Sequence, residues 1–271
     1  ELRPMKVFDT VSEFRNWRRE ASRENPAVRV GFVPTMGALH DGHRSLLERA
    51  RAESDVVVLS IFVNPTQFNQ PSDLAKYPRT LAQDLAMART AGVDVVLIPR
   101  DPSELYPDGY RYEVREKEFS RALCGAHRPG HFEGVLTIVL KLLGLVRADR
   151  AYFGEKDYQQ FGLISGMARA FFLDTEIVGC PTVREVDGLA MSSRNLRLSE
   201  SERAKAPALF EAMTKIRDIG SAREALEKDG FRVDYLEDRR TPTGETRRFA
   251  AAFLGDVRLI DNVLVEPSEN I

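Results

Sequence analysis

Several features that mark special classes of protein are scarce in this sequence. Only two cysteines are present, Cys124 and Cys180, and their unrelated surroundings do not indicate a disulfide-stabilised scaffold. No apolar run approaches the length of a transmembrane helix, and residues 1–6 lack the apolar core of a secretory signal. We therefore expect a cytoplasmic protein that is not associated with a membrane.

An excess of charge of one sign is also missing. The 39 Lys and Arg residues nearly balance the 41 Asp and Glu residues, and the formal net charge is −2. Without a basic surplus we expect no general binding to nucleic acid or to anionic membranes, so any polyanion must be held by a local site. The chain does have 43% hydrophobic and 30% charged residues over 271 positions, which is typical of one large or two ordinary globular domains.

Two of the four histidines stand three residues apart at a predicted junction between a strand and a helix. The apolar run Val28–Val33 predicts a strand that ends at Pro34, and the pattern from Ser45 onward predicts a helix. His40 and His43 therefore lie near a helix start. Because unpaired N–H groups and the positive end of the helix dipole meet there, the position favours an anion such as phosphate.

Other roles for this histidine pair remain open from the residues alone. Each histidine could be structural, or the pair could hold zinc if His127 or His131 supplied a further ligand. Gly37 and Gly42 favour the anion instead, because glycine lets backbone N–H groups approach a ligand closely.

Short apolar runs alternate with helical patterns along the first two thirds of the chain. We predict further strands at Val56–Val63, Val93–Ile98, Arg150–Phe153 and Glu176–Cys180, and helices at Thr80–Ala91, Val135–Val146 and Tyr158–Phe172. This order is typical of an α/β protein with a doubly wound parallel sheet, whose ligands sit beyond the carboxyl ends of the strands. The polar segments Asn64–Phe68 and Gly154–Asp157 follow such strand ends, as the histidine turn does.

The pattern changes near Ser199 and predicts a second, smaller α+β domain. We predict helices at Glu200–Ile219 and Ala222–Gly230, and strands at Arg232–Leu236, Arg247–Leu254 and Val257–Val265. The predicted domains are therefore 1–186 and 187–271.

Five blocks, in order along the chain, carry a resemblance to a known family. The turn His40-Asp-Gly-His43 resembles the nucleotide signature of adenylyl-transferring enzymes related to class I aminoacyl-tRNA synthetases. The whole set is similar to the pantothenate synthetases (pantoate–β-alanine ligases): Pro34–His43, Phe62–Phe68, His131–Gly134, Phe153–Gln160 and Asp187–Asn195.

The resemblance implies ATP-dependent ligation of pantoate to β-alanine through a pantoyl-adenylate, with release of pyrophosphate and then AMP. It implies a Rossmann-like catalytic domain at 1–186 that binds ATP and pantoate, and a smaller C-terminal lid domain at 187–271. It also implies Mg²⁺ accompanying ATP, and a homodimer formed through the larger domain.

Site residues follow from the resemblance, position by position. The implied catalytic residues are His40, His43, Lys156, Ser192, Ser193 and Arg194. ATP binding is implied for these residues and for Met36, Gly37, Ala38, Leu39, Asp41, Gly42, Gly154, Glu155, Asp157, Val183 and Met191. Cationic and hydroxyl donors suit the negative charge that builds on phosphoryl oxygens during adenylation.

The same residues have plainer interpretations when the family is set aside. Lys156 could be a solvated surface lysine, and the segment around Ser192 and Ser193 could be an ordinary hinge. Asp157 could hold a ribose hydroxyl or serve Mg²⁺. His43 could act as an acid or base, or only stabilise phosphate.

The pantoate and β-alanine site is implied by a second, mostly uncharged group of residues: Gln67, Gln160, Asn64, His131 and Arg128. Amides can hold hydroxyl and carboxylate groups without attacking phosphorus. Asn64 could instead serve the turn at Pro65, and His131 could be a structural group at a helix start. No serine stands beside a histidine base, which favours direct attack by the amine over an acyl-enzyme.

Two rival functions remain at this stage. A nucleotidyltransferase could use the same turn on a phosphorylated substrate, but an acceptor phosphate would more naturally meet Arg or Lys than Gln67 and Gln160. A catalytically silent nucleotide-binding regulator is disfavoured because the histidine pair, Lys156 and Arg194 are all present.

Overall fold

The structure, a computed structural model, describes residues 4–265 and contains two compact units. The first comprises the chain up to Gly154 together with Leu163–Cys180. The second comprises Glu155–Gly162 and the chain from Pro181 onward. The chain therefore enters the second unit twice. The boundary predicted at 186/187 stays a prediction about functional domains.

A six-stranded parallel sheet forms the centre of the first unit. Its strands are β1 (Lys6–Phe8), β2 (Val30–Thr35), β3 (Val56–Ile61), β4 (Val95–Leu97), β5 (Arg150–Gly154) and β6 (Glu176–Cys180), in the order β1-β4-β3-β2-β5-β6. The helices are α1 (Val11–Glu24), α2 (Asp41–Glu53), α3 (Pro71–Ala75), α4 (Leu81–Thr90), α5 (Cys124–His127), α6 (His131–Val146) and α7 (Tyr158–Ala170). This confirms the predicted α/β fold with a doubly wound parallel sheet. β1 and α1 were not predicted.

The central strands are covered on both faces. Val57, Val58 and Leu59 of β3 are all fully buried although neighbouring side chains of a strand point to opposite faces. A continuous run of β-branched and aliphatic residues is what such a strand requires. The carboxyl ends of β2, β3 and β5 therefore share one edge of the first unit.

The prediction that Pro34 ends β2 is wrong. The strand continues to Thr35, and Pro34 is in register with Ser60 of β3. Thr35 faces β3, since its carbonyl accepts from the Phe62 N–H at 3.0 Å, so Pro34 faces the β5 side. There the β2–β5 ladder has already ended at Phe32, and the missing N–H of proline costs no strand hydrogen bond.

Two helices begin earlier than predicted. α2 begins at Asp41 rather than Ser45, and α6 begins at His131 rather than Val135. Each extra turn contains a glycine and at most one large apolar residue, so hydrophobic periodicity does not indicate it. Side-chain capping at His40 supports the first of these extensions.

In the second unit, three helices precede an antiparallel sheet of order β7-β8-β9. Their bounds are α8 (Glu200–Lys205), α9 (Ala208–Lys215), α10 (Ile219–Lys228), β7 (Arg232–Arg240), β8 (Thr246–Leu254) and β9 (Val257–Leu264). The single helix predicted at 200–219 is wrong, because it is interrupted at Pro207, which has no N–H to donate. The unit has its own core, which includes Leu209, Leu226 and Leu236.

Cys124 and Cys180 are both buried, and neither forms a disulfide within residues 4–265. Between residues 4 and 265, no helix has the length and apolarity needed to cross a membrane.

Candidate active site

The histidine pair caps the first turn of α2. His40 is the N-cap residue, and its Nδ1 accepts from the Gly42 N–H at 3.1 Å. His43, in the third helical position, returns the contact, because its Nδ1 accepts from the His40 N–H at 3.3 Å. The two ring centroids are 4.2 Å apart. The two histidines thus form a reciprocal capping box, a motif usually formed by Ser or Thr with Glu or Gln.

This capping fixes the tautomer of both rings. A nitrogen that accepts a hydrogen bond carries no proton, so the neutral imidazoles of His40 and His43 carry theirs on Nε2. Each ring therefore offers an Nε2–H donor beside the positive end of α2. Such donors can bind an anion, and the anion-binding role of this turn stays a prediction.

A buried carboxylate that was not predicted shapes the turn before His40. Asp84 of α4 is 2% exposed and accepts from the backbone N–H groups of Ala38 at 3.0 Å and Leu39 at 2.8 Å. Thr80 donates to the same carboxylate at 3.0 Å. Gly37 has a φ of 77°, and a Cβ there would lie 3.0 Å from Asp84 Oδ2. Glycine and aspartate together hold the 36–39 segment against α4.

Asn64 lies beyond the carboxyl end of β3, and both the nitrogen and the oxygen of its side-chain amide are hydrogen-bonded to other protein groups. Its Nδ2 donates to Gln67 Oε1 at 3.1 Å and to the Gly134 carbonyl at 3.2 Å. Its Oδ1 accepts from Tyr106 at 2.8 Å and from Thr66 at 3.1 Å. Burial raises the pKa of Tyr106, which keeps its hydroxyl protonated as a donor. The arrangement favours an orienting role for Asn64 over direct contact with a ligand.

Gln67 is oriented by this contact. Because its Oε1 accepts from Asn64, the two hydrogens of Nε2 are left to donate, and they have no partner within residues 4–265. The side chain is buried at the edge of the sheet, 9% exposed. It thus presents a hydrogen-bond donor, which suits a carboxylate or hydroxyl oxygen.

His131 and Arg128 both hold the backbone carbonyl of Gln67. His131 Nδ1 lies 2.9 Å from that oxygen, and Arg128 Nη2 donates to it at 3.3 Å. Arg128 Nη1 lies 3.2 Å from His131 Nε2, and since guanidinium only donates, His131 is neutral with its proton on Nδ1. The structural interpretation of His131 is therefore favoured. Gly134 allows the close approach, because a Cβ there would lie 2.6 Å from the Thr66 carbonyl.

Lys156 belongs to the second unit, in the 3-10 turn Glu155–Asp157. Its side chain is only 18% exposed, with Nζ 3.6 Å from Asp157 Oδ2, so it is not a solvated surface lysine. Gln160 follows in the first turn of α7 and is partly exposed. Gly154, the last residue of β5, belongs to the first unit.

The Met191–Arg194 segment also lies in the second unit. Met191 N–H donates to the Val183 carbonyl at 3.0 Å, and an isolated bridge pairs Arg184 with Ala190. Ser192 caps the 3-10 turn Ser193–Arg197, since its Oγ accepts from the Arg194 N–H at 3.3 Å. Ser193 is buried. These contacts hold the backbone of the segment in a defined conformation. The segment is therefore not an unstructured hinge.

Each unit thus gathers part of the predicted site. The first contains Met36 to His43, Asn64, Gln67, Arg128 and His131, and the second contains Glu155 to Asp157, Gln160, Val183 and Met191 to Arg194. Asp84 and Tyr106 were missed because nothing local distinguishes them from other polar residues. Throughout residues 4–265, no group of three or more His, Cys, Asp or Glu side chains is arranged to hold a metal ion.

The chain is similar along nearly its whole length to known proteins. The family model described as pantoate-beta-alanine ligase matches residues 6–264. Pantothenate synthetase of Bdellovibrio bacteriovorus is 58% identical over 96% of this chain and 99% of its own length. That of Coxiella burnetii is 49% identical over 95% of this chain and 96% of its own length. The pantoate-beta-alanine ligase of Francisella tularensis, crystallised with β,γ-ATP and β-alanine, superposes with a TM-score of 0.89 at 40% identity, covering 96% of this chain and 98% of that one.

Proposed function

The chain belongs to the pantoate-beta-alanine ligase family, and on that premise we propose how its residues join pantoate to β-alanine at the expense of ATP. The family reaction forms a pantoyl-adenylate and then pantothenate. This chain is an enzyme of that activity. The observation that carries the residue assignment is the histidine pair at the start of α2, with both Nε2–H donors directed away from their capping contacts.

In the first step a carboxylate oxygen of pantoate attacks the α-phosphorus of ATP. The bond to the β-phosphate oxygen breaks and pyrophosphate leaves, so negative charge grows on the phosphoryl oxygens and on the leaving group. His40 and His43 donate to these oxygens from Nε2. Lys156, Ser192, Ser193 and Arg194 provide further donors. Catalysis of such a step is mainly positioning and electrostatic stabilisation.

Pantoate is held by Gln67 and Gln160 in this proposal. Gln67 Nε2 donates to a carboxylate or hydroxyl oxygen of pantoate, and Asn64, His131 and Arg128 fix Gln67 from behind. The site thereby recognises oxygen atoms without adding a nucleophile that would compete for phosphorus.

In the second step the free amine of β-alanine attacks the acyl carbon of the adenylate. An amide bond forms, AMP leaves with the bonding electrons, and the amine loses a proton. The acyl phosphate is already activated, so no enzyme nucleophile is needed.

Mg²⁺ is proposed to enter with ATP. Such an ion would keep several waters and would bind mainly to phosphate oxygens, with one or two carboxylates of the protein. Asp157 is a candidate either for this ion or for a ribose hydroxyl. The lid role of residues 187–271 and the cytoplasmic location stay predictions.

The experiment that tests the function follows pyrophosphate release from ATP with and without pantoate, and then adds β-alanine. We expect release only with pantoate, and pantothenate with AMP only after β-alanine. Turnover without pantoate would favour a nucleotidyltransferase acting on another substrate. ATP binding without any turnover would favour a regulator, and either result would overturn the proposal.

We also propose a homodimer that forms through the first unit, at the exposed segment 111–115. The N–H groups of Tyr112 and Val114 donate inward, to Asp108 at 3.1 Å and to Thr137 at 2.8 Å. The alternate N–H groups at 111, 113 and 115 have no partner within residues 4–265. A hydrogen bond from Lys141 lowers the pKa of Asp108 to about 2, so the carboxylate that accepts the inward contact stays ionised at acidic pH values that protonate an ordinary aspartate. Such an edge suits strand pairing with a second copy about a twofold axis.

Replacing Glu113 with proline is expected to shift the protein from dimer to monomer in sedimentation velocity, because it removes an outward N–H. Glu113→Ala is the matched control, since it removes the carboxylate and keeps the N–H. A dimer of unchanged affinity in the proline variant would contradict pairing at this edge.

A further inference from the structure

β9 packs against the 3-10 turns 155–157 and 193–197 of the second unit, which include the proposed phosphate donors Lys156, Ser193 and Arg194. Adjacent residues of this strand, Asp261 and Asn262, are 4% and 3% exposed. Buried polar side chains are kept only where they find partners. Their partners indicate what these two residues do.

Asn262 holds the backbone of the lysine turn. Its Nδ2 donates to the carbonyl of Glu155 at 2.8 Å and to the carbonyl of Lys156 at 2.9 Å. Arg247 of β8 donates to Asn262 Oδ1 at 2.7 Å, which fixes the amide with its nitrogen toward the two carbonyls. Arg247 itself is held over the Tyr158 ring, 4.0 Å from its centroid. The main chain at Lys156 is thereby bonded to the sheet at two consecutive residues.

Asp261 holds the base of the other segment. Its carboxylate accepts two hydrogen bonds from Arg184, at 2.6 and 3.0 Å. Arg184 also donates to the Gly188 carbonyl at 3.0 Å and is bridged to Ala190, the residue before Met191. The guanidinium is stacked over the Phe210 ring, 4.0 Å from its centroid. Arg184, which makes two hydrogen bonds to Asp261, thus connects β9 to the residue that precedes the Met191–Arg194 segment.

We propose that Asn262 and Asp261 are positioning residues for ATP: they set the distance between Lys156 and the Ser192–Arg194 donors. The proposal rests on the proposed phosphate contacts of those donors. Both residues act through the backbone of segments that lie far apart along the chain. A displacement of about 1 Å in such a group is enough to cost about 10²-fold in rate.

The test measures single-turnover formation of pantoyl-adenylate against ATP concentration in a double-mutant cycle. Asn262→Asp keeps the size of the side chain and the contact to Arg247, but it turns an oxygen toward two carbonyl oxygens. We expect it to slow adenylate formation by about 10- to 10²-fold, and by less than about 3-fold in the K156A background, because its effect passes through Lys156. D261N is expected to behave likewise against R194A.

Arg248→Met is the matched control for a merely structural effect. Arg248 is 5% exposed on β8 and donates to the carbonyls of Ile216 at 2.6 Å and Arg217 at 2.7 Å, away from both segments. It is expected to lower the melting temperature and leave adenylate formation by the folded enzyme unchanged. If N262D does not fold, N262A replaces it in the cycle, since alanine removes the donor without adding repulsion.

Three results separate the possibilities. Equal slowing by the Asn262 variant in both backgrounds, or no slowing in the folded enzyme, overturns the positioning role alone. A K156A enzyme with wild-type adenylate formation overturns the proposed phosphate contact of Lys156 and the positioning role with it. Coupling of the expected size supports both.

Discussion

Replacing His43 with alanine is expected to slow pantoyl-adenylate formation by about 10²–10³-fold, the usual cost of removing one donor to a developing oxyanion. The measurement is pantoate-dependent pyrophosphate release in a single turnover. Binding of β-alanine to the enzyme should change little, because the donor acts on phosphate oxygens. Unchanged adenylation by a folded H43A enzyme would remove the proposed role.

Two further variants at this position separate the two ring nitrogens. His43→Asn places an oxygen near Nδ1 and keeps the contact to the His40 N–H, whereas His43→Gln places an amide donor near Nε2. If Nε2–H is the functional group, H43Q retains more adenylation activity than H43N. If His43 served only to cap α2, the order of activities would be reversed.

Replacing Asp84 with asparagine is expected to lower both stability and activity, although the side chain need not touch a substrate. The carboxylate accepts from Ala38 and Leu39 through different oxygens. Asparagine leaves one of these buried N–H groups facing an N–H₂, which costs about 1–3 kcal/mol of unfolding free energy. Since the turn carries His40, we expect about 10²-fold slower adenylation as well.

Asp94→Asn is the matched control for Asp84→Asn. Asp94 accepts from the backbone N–H of Val57 at 2.8 Å and from Arg51 at 2.6 Å, at the other end of the sheet strands. Both bonds go to the same oxygen, so the change removes mainly the negative charge that faces Arg51; it should destabilise the unit and leave adenylation by the folded enzyme intact. Equal loss of activity per folded molecule in both variants would mean that Asp84 has no special relation to the histidine turn.

The strands were predictable because burial on both faces demands an apolar run of fixed type, as in Val56–Ile61. The start of α2 was not predictable from the sequence. It depends on reciprocal capping by His40 and His43, and histidine is not among the residues normally used to predict a helix N-cap. Pro207, which interrupts the helix predicted at 200–219, is present in the sequence, but the helical pattern on both sides of it favoured a single helix.

The candidate site was predictable wherever side chains stand close together along the chain. Met36–His43 and Met191–Arg194 are such segments. Asp84, Tyr106 and Asn262 stand far along the chain from the residues they hold, and only folding brings them there. Residue pairs so far apart along the chain leave no local pattern in the sequence.

The return of residues 155–162 to the second unit has a consequence for cutting the chain. A fragment that begins at Pro181 would carry Asn262 and Arg247 but not the carbonyls and the aromatic ring with which they pair. The sheet of this fragment would expose the polar side chains of Asn262 and Arg247, which are buried or half-buried in the whole protein. The complementary fragment would contain residues 155–157 without the Asn262 amide that binds them. The gene therefore offers no single position at which the two units can be expressed apart with both intact.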